Sequence, residues 1–489
     1  MLFLRFYTNL RLLHYSLTTP SSLQLTPNMP SDQCSDIKPA KEGIDFESLP
    51  WNLNHPEEHS YVHVTTKTGE WSTDHYDLAT DSGTLLDSVY KYDETNLPLS
   101  PACCSLNYGT TIWEGLKCYR DKDGNAIVFR PDKNFDRFTN GADQMSLPPP
   151  SRELFMRGIQ LALQQNSHII PPHGAGMKLY VRPMLMGSGQ QLGLYPSSQF
   201  SLIFYVSPTV STRHCKCVLR ICLLYFIANH DATICAARMH ILFLTAEIFI
   251  RLVNFLVNLL QGNYFKSATG GLNLHLETKR CRAARGGVGN VKCSGNYAVA
   301  LKPLMDAKKQ GFHDNLFLEL ETYKEGGSLD SAILQEMSAA NIFFVLKSGE
   351  VVTPSLDRGT ILPGVTRDSV MTIVNDFADD LKDAMLKSTG QNDKIFVSSR
   401  DVTVGELKNA TEAFCTGTAA EVVPIARLAT GTDEEPFEAV FEHGQTEAGP
   451  MTMAILAMLR EIMVGDRSSE GTQGWLRDPF ATPEKFCKE

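Results

Sequence analysis

Glu336-Met337-Ser338-Ala339-Ala340-Asn341-Ile342-Phe343-Phe344, followed by Val351-Val352-Thr353 and then Leu362-Pro363-Gly364-Val365-Thr366-Arg367, is the stretch that decides the fold. Ile342 to Leu346 is an apolar run of strand length, with Glu336 ahead of it. Upstream, Val291-Lys292-Cys293-Ser294-Gly295-Asn296-Tyr297 follows the glycine-rich run Gly286-Gly287-Val288-Gly289-Asn290. A lysine at the mouth of a helix, set after a flexible approach, can be held against a ligand, and a partly desolvated lysine is a Schiff-base nucleophile. Taken singly, each residue has a plainer role. Lys292 fits a solvated loop, Glu336 a strand end, Tyr297 a core and Arg182 a surface ion pair. Only their joint order argues for more.

In that order and with those gaps, the residues resemble the signature of the class IV, fold type IV pyridoxal-phosphate aminotransferases. Within that class the chain is similar to the branched-chain amino-acid aminotransferases. The similarity runs from about Glu47 to Trp475 and includes Leu106-Asn107-Tyr108-Gly109, Trp113-Glu114-Gly115-Leu116-Lys117, Phe129-Arg130-Pro131-Asp132, Leu179-Tyr180-Val181-Arg182-Pro183 and Phe414-Cys415-Thr416-Gly417-Thr418-Ala419. The resemblance implies that Lys292 binds pyridoxal 5'-phosphate as a Schiff base and shuttles the proton at the substrate Cα. It implies that Glu336 faces the pyridine nitrogen and that Tyr297 meets the phenolic oxygen. Arg182 would hold the phosphate, with Leu362, Val365, Thr366 and Thr418 completing the cofactor site. Tyr108, Trp113, Tyr297, Ala339 and Ala419 would form the substrate pocket, with Trp113 standing where phenylalanine is more usual. The implied reaction moves an amino group between L-leucine, L-isoleucine or L-valine and 2-oxoglutarate in a homodimer. A D-amino-acid aminotransferase, an aminodeoxychorismate lyase of the same class, or a catalytically impaired isoform are the alternatives.

Composition fits this picture. The 489 residues, 43% apolar and 20% charged, suit a globular chain of two or three domains. A net charge of -10 disfavours nucleic-acid binding. The twelve cysteines show no CxxC, which points to a reduced intracellular compartment. His214, Cys215, Cys217, Cys222 and Cys235 match no common zinc spacing, so no metal is expected. Residues 1–28 are basic and acid-free, as in an organelle presequence, which would make the protein mitochondrial. Met29 as the true start would leave it cytoplasmic, and residues 1–41 stand outside the fold on either reading.

Alternating short strands and helices predict an α/β chain: an α+β small domain over 42–209 with 262–272, and a larger α/β domain over 273–489. In the first, Val62-Val64-Thr66, Ala126 to Phe129, Lys178 to Leu185 and Phe200 to Val206 read as strands, and Ser151 to Gln165 as a helix. Pro131-Asp132 reads as a turn, and Asp81-Ser82 as the approach to a helix. In the second, Asn296 to Lys309 is expected to bury Val299, Leu301, Leu304 and Met305. Asn315 to Leu320 is expected as a strand, and Met451 to Ile462 as an amphipathic helix. Between the two lies Val210 to Gln261, 52 residues without one Gly or Pro, where proportion predicts roughly six. Glu247, Arg251, Asn254 and Asn258 recur along one helical face, which argues against a membrane span. Removing the segment joins Ser207-Pro208-Thr209 to Gly262-Asn263-Tyr264-Phe265, which resembles a continuous stretch of the family. The segment therefore reads as an intron retained in frame.

Overall fold

A computed structural model describes residues 37–46, 49, 52–54, 59–67, 71, 89–91, 97, 99–174, 177–210, 270–324, 327–391, 393–431 and 436–487. The expected helix after Asp81-Ser82 and the cysteines of residues 215–235 lie outside them, as do residues 211–261. The first strands are β1 (Ser60–Thr66), β2 (Val89–Lys91), β3 (Thr111–Trp113), β4 (Leu116–Arg120), β5 (Ala126–Phe129), β6 (Met177–Gly187) and β7 (Phe200–Val210). They continue with β8 (Leu272–Glu277), β9 (Asp314–Leu318), β10 (Leu334–Met337), β11 (Asn341–Leu346), β12 (Glu350–Pro354), β13 (Phe396–Arg400), β14 (Ala410–Gly417), β15 (Glu421–Ala429), β16 (Glu438–Val440) and β17 (Leu476–Arg477). The helices are α1 (Cys104–Tyr108), α2 (Pro131–Gln144), α3 (Arg152–Gln165), α4 (Ser294–Lys309), α5 (Leu320–Lys324), α6 (Val365–Asp376), α7 (Lys382–Thr389), α8 (Pro450–Met463) and α9 (Pro483–Cys487).

Among the described residues two sheets form. The first has the order β17-β5-β4-β6-β7-β1-β2, with β3 also on β6. The second has the order β10-β9-β8-β15-β14-β11-β12-β13, with β16 on β15. Every pairing in the first is antiparallel, and its strand period of two separates the faces. Leu116, Cys118, Leu179, Val181, Leu185, Phe204 and Val206 are buried on one face with Leu154, Phe155 and Ile159 of α3. Gly158 lets α3 approach, since a Cβ there would strike the Phe204 ring. The alternate residues Lys117, Lys178, Tyr180 and Arg182 therefore share the opposite face. This is why one face of β6 is core and the other carries chemistry.

The second sheet is apolar on both faces, because each is covered. Ile342, Phe344 and Leu346 of β11 join one buried cluster, while Phe343 and Val345 join another with Val370 and Ile373 of α6 and Ile455 and Leu459 of α8. Phe343 and Phe414 stack at 5.1 Å between centroids. Leu272, ahead of the expected boundary at 273, already belongs to this sheet, and Val210, assigned above to the foreign segment, closes β7 opposite Met177. The chain's end returns to the first sheet, with β17 on β5 and α9 against α3.

Three local expectations are corrected. Pro131-Asp132 is no turn but the start of α2, where proline's fixed φ and missing N–H suit the first helical position. Asn315 to Leu320 is not one strand, since β9 stops at Leu318 and Leu320 opens α5. On α4, Val299, Leu301 and Met305 are exposed, and Ala300, Pro303 and Ala307 are buried instead. Small residues let α4 lie close against β9, which periodicity of large apolar residues does not reveal.

Asp314, at the head of β9, is a buried acid that accepts from the Asn315 N–H at 2.7 Å. Burial pushes its carboxyl up to about 6 from 3.8, with Ser338 pulling the other way. The native chain thus holds a proton across that window that the unfolded chain has released, so stability falls as pH rises through it. Asp314→Asn, neutral throughout, should gain on the wild type by up to about 3 kcal/mol between roughly pH 4 and pH 7 in denaturant titrations. A difference that stays flat with pH would count against the buried acid.

Candidate active site

Lys292 is pinned between the sheets by its backbone. Its carbonyl accepts from the Trp113 N–H at 3.1 Å at the end of β3, and its neighbour Cys293 bridges to Ile112. Asn296, in the first turn of α4, donates to the carbonyls of Val288 and Val291 at 2.6 and 2.7 Å and so ties down the glycine-rich approach. The Lys292 ammonium donates to the Tyr297 hydroxyl at 2.7 Å. It lies 5.9 Å from the centroid of Trp113, whose ring meets that of Tyr297 at 4.7 Å.

Glu336 comes from β10 and is 2% exposed. One carboxylate oxygen accepts from the Leu362 N–H and from Arg282, both at 2.8 Å, and the other from Asn341 at 3.0 Å. Burial pushes this acid up, while Arg282, the Leu362 N–H, Lys292 and Arg367 pull it back. Asn341 also donates to the Leu362 carbonyl at 2.9 Å, and a side chain at Gly364 would strike the Asn341 carboxamide. The Pro363-Gly364 step is therefore glycine by close approach.

A third wall is the start of α6, with Val365 and Thr366 in its first turn. Facing it is Arg137 of α2, whose Nη1 donates to the Pro363 carbonyl at 2.9 Å. Its Nε and Nη2 form a fork on Glu114 at 2.6 and 2.7 Å. Burial opposes the charge of Arg137, but Glu114 outweighs it and holds the guanidinium above its ordinary value.

One cavity is lined by Lys292, Tyr297, Glu336, Ala339, Leu362, Val365, Thr366 and Thr418, all expected from sequence, and by Arg137, Arg282, Asn341 and Thr416, which were not. Four expected residues are not in its lining, and of these Trp113 packs its ring on that of Tyr297. Tyr108 is 38% exposed on α1, and its hydroxyl accepts from the Gly193 N–H at 2.7 Å. Ala419 lies beyond Thr418 in the β14–β15 turn, where its carbonyl meets Lys178 at 3.5 Å. Arg182 donates to the Tyr180 hydroxyl at 3.0 Å and lies 5.8 Å from the Trp113 ring, outside the lining of this cavity. Of the cations near the start of α6, Arg137 lines the cavity and Arg130 does not, being held by Asp368 and Ser369. The missed signal for Arg137 was Pro131 in the first helical position, which places Asn134 and Arg137 three and six residues on, along the buried side of α2. Among the described residues no His, Cys, Asp and Glu group has the makings of a metal site, and no helix is long and apolar enough to cross a membrane.

Residues 252–428, which hold Lys292, Glu336 and Thr418, match the amino-transferase class IV family. The chain has the fold of the branched-chain amino acid aminotransferase from Escherichia coli, at a TM-score of 0.53 and 18% identity over 80% of this chain and 96% of that one. It aligns likewise with the branched-chain amino acid aminotransferase from Thermobaculum terrenum in its PLP-form, at a TM-score of 0.52 and 18% identity over 79% of this chain and 94% of that one. Branched-chain-amino-acid aminotransferase 5, chloroplastic, of Arabidopsis thaliana is 31% identical over 445 residues, 91% of this chain and 82% of its own length. Identity sustained over that span, on that fold and around that cavity, makes the chain a member of the branched-chain-amino-acid aminotransferase family.

Proposed function

We propose that the chain transfers the amino group between L-leucine, L-isoleucine or L-valine and 2-oxoglutarate, using pyridoxal 5'-phosphate held by Lys292. The observation that carries this reading is the separation of a lysine, a buried acid and an anion cradle around one cavity. The residues fit the cofactor. Thr416 is fully buried in the cavity wall with an unpartnered hydroxyl, and the cradle opposite Glu336 joins Arg137 to the first turn of a helix. When bound, the cofactor supplies an electron-accepting ring that stabilises negative charge at the substrate Cα. Lys292 Nζ takes the proton from Cα and returns it on the oxo-acid side, with the Tyr297 hydroxyl orienting that nitrogen. The Glu336 carboxylate keeps the ring nitrogen protonated. Arg137, the N–H groups of Val365 and Thr366, and the hydroxyls of Thr416 and Thr418 hold the phosphate.

Arg182 is thereby free for the substrate side. It is half-buried, its Nε has no hydrogen-bond partner, and it shares the Trp113 ring with Lys292. We assign it to the distal carboxylate of glutamate and 2-oxoglutarate, while Trp113 and Tyr297 offer an aliphatic side chain an apolar wall that excludes water. A homodimer would cover the exposed Val299, Leu301 and Met305 of α4 and the exposed Leu192, Leu194 and Tyr195. The two-domain division and the intron reading of Val210 to Gln261 belong to the same proposal. So does an organelle as destination for residues 1–28, which the chloroplastic relative supports.

The test is spectroscopic. The purified chain, loaded with pyridoxal phosphate, should show a visible absorption band that L-leucine shifts and D-alanine leaves in place. Failure to take up the cofactor, or an equal response to D-alanine, would sink the reading.

A further inference from the structure

At the junction of β5 and α2 lies a buried cation that the mechanism above does not use. Arg130 is 4% exposed and stands just ahead of Pro131, where α2 begins. Its Nη1 donates to the Ser369 hydroxyl at 2.7 Å and its Nη2 to the Asp368 carboxylate at 2.5 Å, with the Val365 carbonyl 3.5 Å from Nη1. All three partners belong to the first turns of α6. The guanidinium lies over the Trp475 ring, 4.0 Å from its centroid, and the Trp475 carbonyl accepts from the Arg130 N–H at 2.6 Å. The same ring meets Phe129 edge-on at 5.7 Å. One residue thus ties together α2, α6 and the chain beyond α8.

Arg130 is held against its preference. Its φ of 48° is in the left-handed region, and a residue other than glycine or asparagine stays there only where its surroundings over-determine it. Its ion pair contributes little stability, because the Asp368 carboxylate is 55% exposed. What the contacts do fix is distance. Arg137 follows seven residues on, about two turns of α2, and donates to the Pro363 carbonyl just ahead of α6. The two arginines bracket the start of α6, one at Pro363 and the other from Val365 to Ser369. Val365 and Thr366 fall within that bracket and line the cavity with Arg137, whereas Arg130 does not reach it.

We propose that Arg130, backed by Trp475, is a positioning residue that holds α2 and α6 in register, so that Arg137 and the N–H groups of Val365 and Thr366 converge on the cofactor phosphate. This rests on the aminotransferase reading above. Arg130 touches neither cofactor nor substrate and acts only through the two helices. The chain beyond α8 is by the same argument part of the cofactor site's support, since Trp475 supplies both the ring and the carbonyl that hold Arg130.

The experiment compares pyridoxal 5'-phosphate with pyridoxal, which has the same ring and aldehyde but no phosphate. Each dissociation constant is read from the visible band that appears on titration into the cofactor-free chain, well below the melting temperature of every variant. Arg130→Met strands no buried group, since Asp368 is solvated and the Ser369 hydroxyl still donates to the Val365 carbonyl at 2.8 Å. It should weaken pyridoxal phosphate about tenfold or more, the loss expected when one charge-assisted hydrogen bond is misaligned, and leave pyridoxal within about twofold of wild type. Trp475→Leu should act in the same direction. Arg130→Lys keeps the charge without the fork that spans Ser369 and Asp368, so it should resemble Arg130→Met. Ser369→Ala changes no charge and little volume, keeps the test open should Arg130→Met not fold, and should weaken only the phosphate ester, by roughly threefold or more. Equal weakening of both ligands would reduce Arg130 to a support of the fold. Weakening of neither, or full recovery in Arg130→Lys, would overturn the proposal, the latter by showing that charge alone acts. A wild-type chain that binds pyridoxal phosphate no more tightly than pyridoxal would instead refute the underlying cofactor reading, and this inference with it.

Discussion

Lys292→Ala should reduce turnover of L-leucine with 2-oxoglutarate by more than about 10⁴-fold, because it removes both the cofactor's covalent anchor and a proton shuttle that alone contributes about 10²–10⁴-fold. The fold should survive. The Lys292 side chain is half-buried, and its backbone is pinned through the Trp113 N–H and the Cys293–Ile112 bridge rather than through the ammonium. A stability change within about 1 kcal/mol is expected. Pyridoxal phosphate should still be retained, since Arg137 and the start of α6 are untouched, but without the absorption band of a lysine-bound cofactor. Lys292→Arg keeps the positive charge yet cannot give up its proton, so it should be as inactive as the alanine variant. That pair separates charge from proton transfer. Turnover within tenfold of wild type in either variant would remove Lys292 from the mechanism.

What the sequence disclosed follows from how each residue does its work. Lys292, Tyr297, Glu336, Leu362 and Thr366 were legible as residues that meet because they sit in short local runs whose spacing the backbone preserves: Tyr297 reaches Lys292 because the lysine stands just ahead of α4 and the tyrosine lies in its first turn. Arg137 was illegible for a different reason. The helix that carries it buries Asn134 and Arg137, and it can do so because Glu114, distant in sequence, supplies the counter-charge. A search for apolar periodicity passes over such a helix, and the resemblance drew the phosphate assignment to Arg182 of β6, which does not line the cavity that Arg137 lines. The exposed Val299, Leu301 and Met305 show the reverse error, in which large apolar residues were taken for a buried face. Both faults arise where tertiary contacts, rather than local pattern, decide burial. Nothing local announces the burial of Lys117 and Lys178, since the carboxylate of Glu421 that they face lies 304 and 243 positions on.

Glu336→Gln should lower turnover by about 10²–10³-fold, the size of effect expected when a fixed charge is withdrawn from a desolvated reacting centre. The change also disturbs packing, and the two consequences must be told apart. All the groups around Glu336 are donors: the Leu362 N–H, Arg282 and Asn341. A glutamine there turns one N–H toward a donor, at a cost of about 1–3 kcal/mol. It also strands Arg282, whose side chain is 1% exposed, without its counter-charge, and breaking a buried pair in this way costs about 3–5 kcal/mol. The single variant should therefore melt earlier as well as react more slowly. Adding Arg282→Met removes the stranded cation, so the double variant should recover most of the lost stability. It should not recover turnover, because no carboxylate faces the ring nitrogen in either protein. Thermal melts and steady-state rates on the wild type, both single variants and the double variant complete the cycle. If turnover returns together with stability, Glu336 serves the reaction only by holding the Leu362 and Asn341 segments in place, and the charge at the ring nitrogen must come from another residue.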